Sequence, residues 1–377
     1  MPLGYNFVIH DRGEKILSMN KIRARDLGIP FEGAPGEFNA ITDVPGVTVG
    51  YSTIIEGTDA RTGVTIIHPR GREDFTPVYA GIHSFNGNGE MTGALWVEEG
   101  GFMEGPVGIT NTHSVGVVRD AIIAWQVKNK IQYQPWALPV VAETADAWLN
   151  DMNGFFVKEH HVMEALDCAK SGSIEEGNVG GGTGMMCYEF KGGTGTSSRK
   201  LPENLGGWTV GVLAQTNFGR RHFLTVAGVP VGKHLPTDES KSSSEDPYKM
   251  DDGSLIVVVG TDAPLLPHQL KRVARRVSLG MARTGSVGGN GSGDIFLAFS
   301  TANPQAARPD GKGLSSIQAL SNFNLDPVFA ATVFATEEAI INSLVAAEDM
   351  VGHEISAKAL PHEETRGVLR KYGRLIE

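Results

Sequence analysis

A polar stretch runs straight into a strand. Residues 237–253 read T-D-E-S-K-S-S-S-E-D-P-Y-K-M-D-D-G, and Ser254 is followed at once by Leu255-Ile256-Val257-Val258-Val259. The first segment is serine-rich and almost free of apolar side chains. The second is a continuous apolar, mostly β-branched run, the pattern of a buried central strand. A solvated segment that enters a core strand without transition has two readings. It can be a long loop joining two elements, and structureless loops of this length are uncommon in compact domains and often functional. It can instead be a processing site, with Ser254 as a new N-terminus at the head of the strand.

The rest of the chain supplies material for a mixed α and β fold. Apolar runs of strand length fall at 64–68, 138–142, 208–215 and 255–259, and 295–301 alternates two apolar faces before the turn Asn303-Pro304. Leu266, Leu270, Val273 and Val277 recur at helical spacing, with Lys271, Arg272, Arg275 and Arg276 on the other faces. Asp326-Pro327 reads as an N-cap and first position, opening a long helix through Phe329, Val333, Ile340 and Leu344 that Gly352 ends. Another helix is expected over 159–170, stopping near Gly172. No internal repeat stands out. The expected organisation is one domain over residues 1–377.

Composition narrows the function classes. Glycine is 48 of 377 residues, about 13% against a usual ~7%, but without a G-X-Y period, so many tight turns and close backbone approaches are expected. The net charge of −10, with no basic stretch, argues against nucleic acid or an anionic membrane as the main partner. No apolar run approaches the ~20 residues of a membrane span, and residues 1–25 lack the apolar core of a signal peptide. Cys168 and Cys187 are too few for a disulfide framework or a four-thiolate zinc site; both are expected to be buried small residues, and a cytoplasmic location is the expectation. The eleven histidines contain no H-E-x-x-H. His160 and His161 are adjacent on a helix and so point different ways. Neither a metal nor a cofactor is expected.

Ser254 suggests a chemistry. An N-terminal serine carries its own catalytic pair: the hydroxyl is the nucleophile, and the α-amine, with a pKa of ~8, can act as general base near neutral pH. That amine exists only after the Gly253–Ser254 bond is cut. A second cluster, Gly288-Gly289-Asn290-Gly291-Ser292-Gly293-Asp294, is either an oxyanion nest or a plain glycine-rich turn. It is not a phosphate loop: no Lys-Ser/Thr follows, and the cluster leads into a strand rather than a helix. The run 180–184 is a weaker version of the same signal and reads as a turn.

Several longer motifs carry a family resemblance. Asp252-Gly253-Ser254-Leu255 through Val259, Thr261-Asp262-Ala263-Pro264 through Leu270, and Gly289-Asn290-Gly291-Ser292-Gly293-Asp294-Ile295-Phe296 closely resemble the DmpA family. These are the L-aminopeptidase/D-amino-acid esterase-amidases, with the β-peptidyl aminopeptidases as near relatives. Ile41 through Val47, Asn86 through Gly93, Gly108 through Gly116 and Gly177 through Met185 are similar to the same family, so the likeness runs from about residue 30 to 350.

The resemblance implies an α+β fold, an αββα four-layer sandwich of N-terminal-nucleophile type, acting on small peptides, amides or esters. It implies self-cleavage before Ser254 into an α chain, 1–253, and a β chain, 254–377, assembled as a tetramer of such pairs. It implies Ser254 as nucleophile, Ser292 and Asp294 beside its amine, Asn217 as donor to the oxyanion, and Glu143 as partner of the substrate's free amine. It also implies a tyrosine where this chain has Ala145, so the pocket is either remodelled for a larger substrate or less active. Two other activities compete: acyl transfer, as in the ornithine acetyltransferases that share the fold but use threonine, and an uncleaved scaffold with a glycine-rich ligand loop.

Overall fold

The computed structural model describes residues 21–235, 253–304 and 313–377. The polar segment 237–253 therefore lies, but for Gly253, outside the described residues.

In chain order the elements are β1 (Thr48–Glu56), β2 (Ala60–His68), β3 (Val78–Gly87), α1 (Ala94–Gly100), β4 (Phe102–Met103), β5 (Val107–Asn111), α2 (Val115–Asn129), β6 (Val140–Thr144) and α3 (Glu159–Asp167). They continue with β7 (Met186–Cys187), β8 (Phe190–Lys191), β9 (Gly193–Lys200), β10 (Thr209–Asn217), β11 (Ser254–Thr261), α4 (Pro267–Arg283), β12 (Gly293–Ser300), α5 (Asp326–Val345) and α6 (His362–Lys371). Two main sheets result: one ordered β1-β2-β5-β6, the other β4-β3-β12-β11-β10-β9. The pairs β5–β6 and β11–β12 are parallel; the other ladders of these two sheets are antiparallel.

Side-chain alternation along the strands creates three apolar layers. On β11, Ile256 and Val258 face the other sheet, where they meet Ile67, Ile109 and Val140. Leu255, Val257 and Val259 face the opposite way, onto Val273 and Val277 of α4 and Ala335 of α5. The third layer joins Val64 and Ile66 of β2 to Val118 and Ile122 of α2 and Leu166 of α3. The order is helices, sheet, sheet, helices: the αββα sandwich.

α5 passes by length and composition for a membrane-spanning helix, against the expectation that no such stretch exists. The sequence hides it because Glu337 and Glu338 interrupt the run. Its apolar faces are buried against β9, β10 and α4, which accounts for them within the fold. Glu338, fully buried, joins α5 to two other parts of the chain. Its carboxylate accepts from Arg25 Nε and Nη2 at 2.7 and 2.8 Å and from Asn39 Nδ2 at 2.6 Å, and it pairs with Arg199 Nη2 of β9 at 2.7 Å.

Some expected details are corrected. α5 ends at Val345 rather than Gly352, because Asn178 takes the Glu348 backbone in a paired hydrogen bond and the chain then turns through residues 350–357. Asp326 stands inside the first turn, after Leu325, and makes no capping bond. α3 stops at Asp167, since Lys170 exchanges backbone hydrogen bonds with Val49 of β1. His160 and His161 do not diverge: their rings lie 3.9 Å apart, the second folded back to accept from Lys158 N–H. Cys168 is exposed; only Cys187 is buried.

Candidate active site

The candidate residues gather where the central strands of the larger sheet end. Ser254 opens β11, opposite Asn217, the last residue of β10, and opposite Gly293, the first of β12. Gly253 fits there because it lacks a side chain. A Cβ on it would lie 2.5 Å from the Asn217 carbonyl oxygen, and its own carbonyl accepts from Gly293 N–H at 3.1 Å. Any larger residue would push the ends of β10 and β11 apart.

Beside Ser254, the Ser292 hydroxyl donates to Asp294 Oδ1 at 2.7 Å, and Asn86 Nδ2 donates to Asp294 Oδ2 at 2.9 Å. Asp294 is fully buried and Ser292 nearly so. A register shift in the β3–β12 ladder sets Asn86 opposite Asp294 and leaves Phe85 as the extra residue of β3, an irregularity of the kind that re-aims side chains near active sites. The glycine cluster braces this corner through part of its backbone. Its Ser292 and Gly293 N–H groups donate to Gly289 and Gly253, while the Gly289 and Gly291 carbonyls accept from Asn86 and Asn88. The run 180–182 is a buried turn whose first two N–H groups donate to Thr53 and Thr65.

Asn217 has a fixed orientation. Its Oδ1 accepts from Met186 N–H at 2.9 Å, and its Nδ2 donates to the Ala145 carbonyl at 2.8 Å. A backbone N–H can only donate and a carbonyl can only accept, so the two partners together decide which way the amide points. The Nδ2 group carries two hydrogens, and the bond to Ala145 uses one.

Glu143 comes from the other sheet. It lies in β6, not in the first turn of a helix; residues 147–149 form a turn. Its Oε1 accepts from Glu90 N–H at 2.9 Å and its Oε2 from the Thr112 hydroxyl. Burial raises its pKa above the ordinary carboxylate range, and these two donors pull against that rise. Gly89 separates it from the serine end: a Cβ there would lie 3.1 Å from Glu143 Oε1 and 3.2 Å from Gly293 Cα. One segment, residues 86–90 at the end of β3 and just beyond it, thus touches both carboxylates, with Asn86 on Asp294 and Glu90 N–H on Glu143. A cavity of about 520 Å³ lined by Arg23, Phe38, Lys170 and Glu176 contains none of these residues.

The sequence signals did not single out Asn86, Thr112 or the Ala145 carbonyl. The first two lie inside the glycine-rich motifs at 86–93 and 108–116, which is the only sign they give. No group of three or more His, Cys, Asp or Glu side chains suited to a metal exists among the described residues.

A buried serine at a strand head, flanked by an amide donor and a carboxylate, suits acyl chemistry. The model of peptidase family S58 matches residues 39–357. The chain belongs to that family. It is 52% identical over 94% of its length to a β-peptidyl aminopeptidase, BapA, of Sphingosinicella microcystinivorans, covering 93% of that protein. A second BapA, from Sphingosinicella xenopeptidilytica, is 44% identical over 92% of this chain and 91% of its own. Among solved structures, the L-aminopeptidase D-Ala-esterase/amidase of Ochrobactrum anthropi, a prototype for the serine aminopeptidases with a variant Ntn hydrolase fold, superposes with a TM-score of 0.87. That match has 50% identity and covers 94% of this chain and 99% of the other. A Burkholderia sp. β-aminopeptidase gives 0.85 at 46% identity, over 93% and 99% of the two chains. The S58 chain is thus a peptidase with the Ntn-type αββα fold expected from its motifs.

Proposed function

We propose that this S58 peptidase cuts its own Gly253–Ser254 bond and then removes N-terminal residues from small peptides, amides or esters, with Ser254 as nucleophile. The observation that carries this reading is the register of Ser254, paired with Asn217 on one side and Gly293 on the other at the head of a core strand. After cleavage the Ser254 α-amine takes the proton of its own hydroxyl, and Oγ attacks the substrate carbonyl. The second Nδ2 hydrogen of Asn217 meets the oxyanion. The amine then protonates the departing amine, and water releases the acyl group by the same route in reverse. Ser292 and Asp294 act beside the amine and set its proton affinity.

Glu143 gives the reading its exopeptidase character. A substrate ammonium entering a buried site must find a counter-charge, or its desolvation opposes binding. Free-amine amides are therefore the expected substrates, and N-acetylated versions poor ones. Glu143→Gln should lower kcat/KM for the free amine by roughly 10- to 100-fold, the value of a charge-assisted hydrogen bond, and affect the acetylated partner far less. Equal turnover of a matched free and acetylated pair by the wild type would sink the aminopeptidase assignment.

β-Amino-acid amides are a specific second reading, supported by the 52% identity to a protein named for that activity. Ala145, small where the family resemblance implies tyrosine, favours bulkier acyl groups. A panel of α- and β-aminoacyl p-nitroanilides separates these cases. The reading also includes a cytoplasmic tetramer of αβ pairs, tested by native mass measurement and cell fractionation.

A further inference from the structure

We propose that Lys191 is a positioning residue for the Asn217 amide, acting through the Met185–Met186 peptide group. This rests on the reading above, in which Asn217 stabilises the oxyanion. Lys191 ends β8 and is completely buried. Its ammonium donates to the carbonyls of Met185 at 2.9 Å, Gly192 at 2.8 Å and Gly182 at 3.4 Å. Among the described residues no carboxylate pairs with it.

The fold asks here for a donor to the Gly192 and Gly182 carbonyls, but not for a full charge. A neutral amide of similar length would donate to them without the cost of desolvating a charge. The Met185 carbonyl also accepts from Gly192 N–H at 2.9 Å, so that oxygen keeps a partner without the lysine. Burial first and then the positive Lys21 pull the ammonium's pKa down to about 7, with Cys187 opposing the fall, so the charge is fully present only below that value. The side chain is thus held in place against a substantial penalty.

Its position explains what it can do. The Met185 carbonyl and the Met186 N–H are the two ends of one peptide group. A positive charge on the oxygen end draws electron density along the amide and makes its N–H a stronger donor. That N–H donates to Asn217 Oδ1 at 2.9 Å. The side-chain amide of Asn217 is polarised in turn, and its Nδ2 hydrogens become better donors. A row of hydrogen-bonded amides strengthens cooperatively in this way, by roughly 10–30% per bond. One oxyanion donor contributes roughly 10²–10³ in kcat, so that share of its free energy corresponds to roughly 2- to 8-fold in rate.

The test is a double-mutant cycle on fully processed enzyme, normalised to the amount of free Ser254 N-terminus. Lys191→Met removes charge and donors together. Lys191→Gln keeps an N–H among the carbonyls without the charge, and serves if the methionine variant does not fold. In the Asn217-containing enzyme either change, measured below pH 7 where Lys191 is charged, should lower kcat by roughly 2- to 8-fold with KM unchanged. In the Asn217→Ala background the same change should have no further effect. An equal loss in both backgrounds, or no loss in the first, overturns the proposal. If Asn217→Ala alone leaves kcat intact, the oxyanion assignment itself is wrong, a result readable separately from the lysine arms.

Discussion

At the scale of single residues the site is an arrangement of donors with few options. Asn217 is pinned at both ends of its amide by backbone groups of adjacent segments, Met186 and Ala145. Asn217→Ala should therefore process and fold but lose roughly 10²–10³ in kcat, the scale of one oxyanion donor; steady-state kinetics on the purified variant would show it, and an unchanged kcat would remove Asn217 from the chemistry. Glu143 adds a pH signature. Its carboxyl pKa is raised by burial, so it becomes protonated at a higher pH than an exposed glutamate. The charge proposed to hold the substrate ammonium is lost as pH falls through that raised value. KM for a free-amine substrate should rise on the acid side above the ordinary carboxylate range, with a much smaller change for the acetylated analogue. The sequence points to Ser254, Ser292, Asp294, Asn217 and Glu143 through the motifs around them; the structure brings Ser254, Asn217 and the Ser292–Asp294 pair to one strand end, and their roles belong to the proposal. Thr112 and the Ala145 carbonyl were not legible. A hydroxyl that fastens a carboxylate and a carbonyl that turns an amide act by position, and a single sequence does not reveal position.

At the scale of elements, the apolar runs expected at 64–68, 208–215, 255–259 and 295–301 correspond to β2, β10, β11 and β12, and the amphipathic spacing from Leu270 to Val277 lies in α4. The errors sit at ends. Termination of α3 and α5 depends on hydrogen bonds to partners far along the chain, Val49 and Asn178, which local spacing cannot carry. The same holds for Glu338, whose partners lie near residues 25, 39 and 199. Burial would raise its pKa, but Arg25 and Arg199 hold it below the ordinary carboxylate range. A depressed carboxylate contributes stability above its unfolded pKa, and that contribution is lost as pH falls through the folded value. Glu338→Ala leaves the buried Arg199 without its counter-charge and should cost about 3–5 kcal/mol. A large fall in Tm, with the processed site still active below it, is the expected calorimetric result; an unchanged Tm would mean that the clamp contributes nothing net.

At the scale of the whole molecule, β11 connects structure to chemistry. It is central in its sheet, apolar on both faces and begins at Ser254. Its strand neighbours bring Asn217 and Gly293 to one end, while the packing of the two sheets brings Glu143 across from them. A chain cut before Ser254 would leave pieces of 253 and 124 residues held together by the β10–β11 and β3–β12 ladders, so cleavage need not separate them. The central claim is that the new N-terminus is the catalyst. Intact-mass measurement and N-terminal sequencing of purified protein, alongside amide hydrolysis by the same sample, test it directly. The expected result is two chains, the second beginning Ser-Leu-Ile-Val, with Ser254→Ala remaining one inactive chain. A wild type that stays intact yet hydrolyses amides at full rate would contradict it.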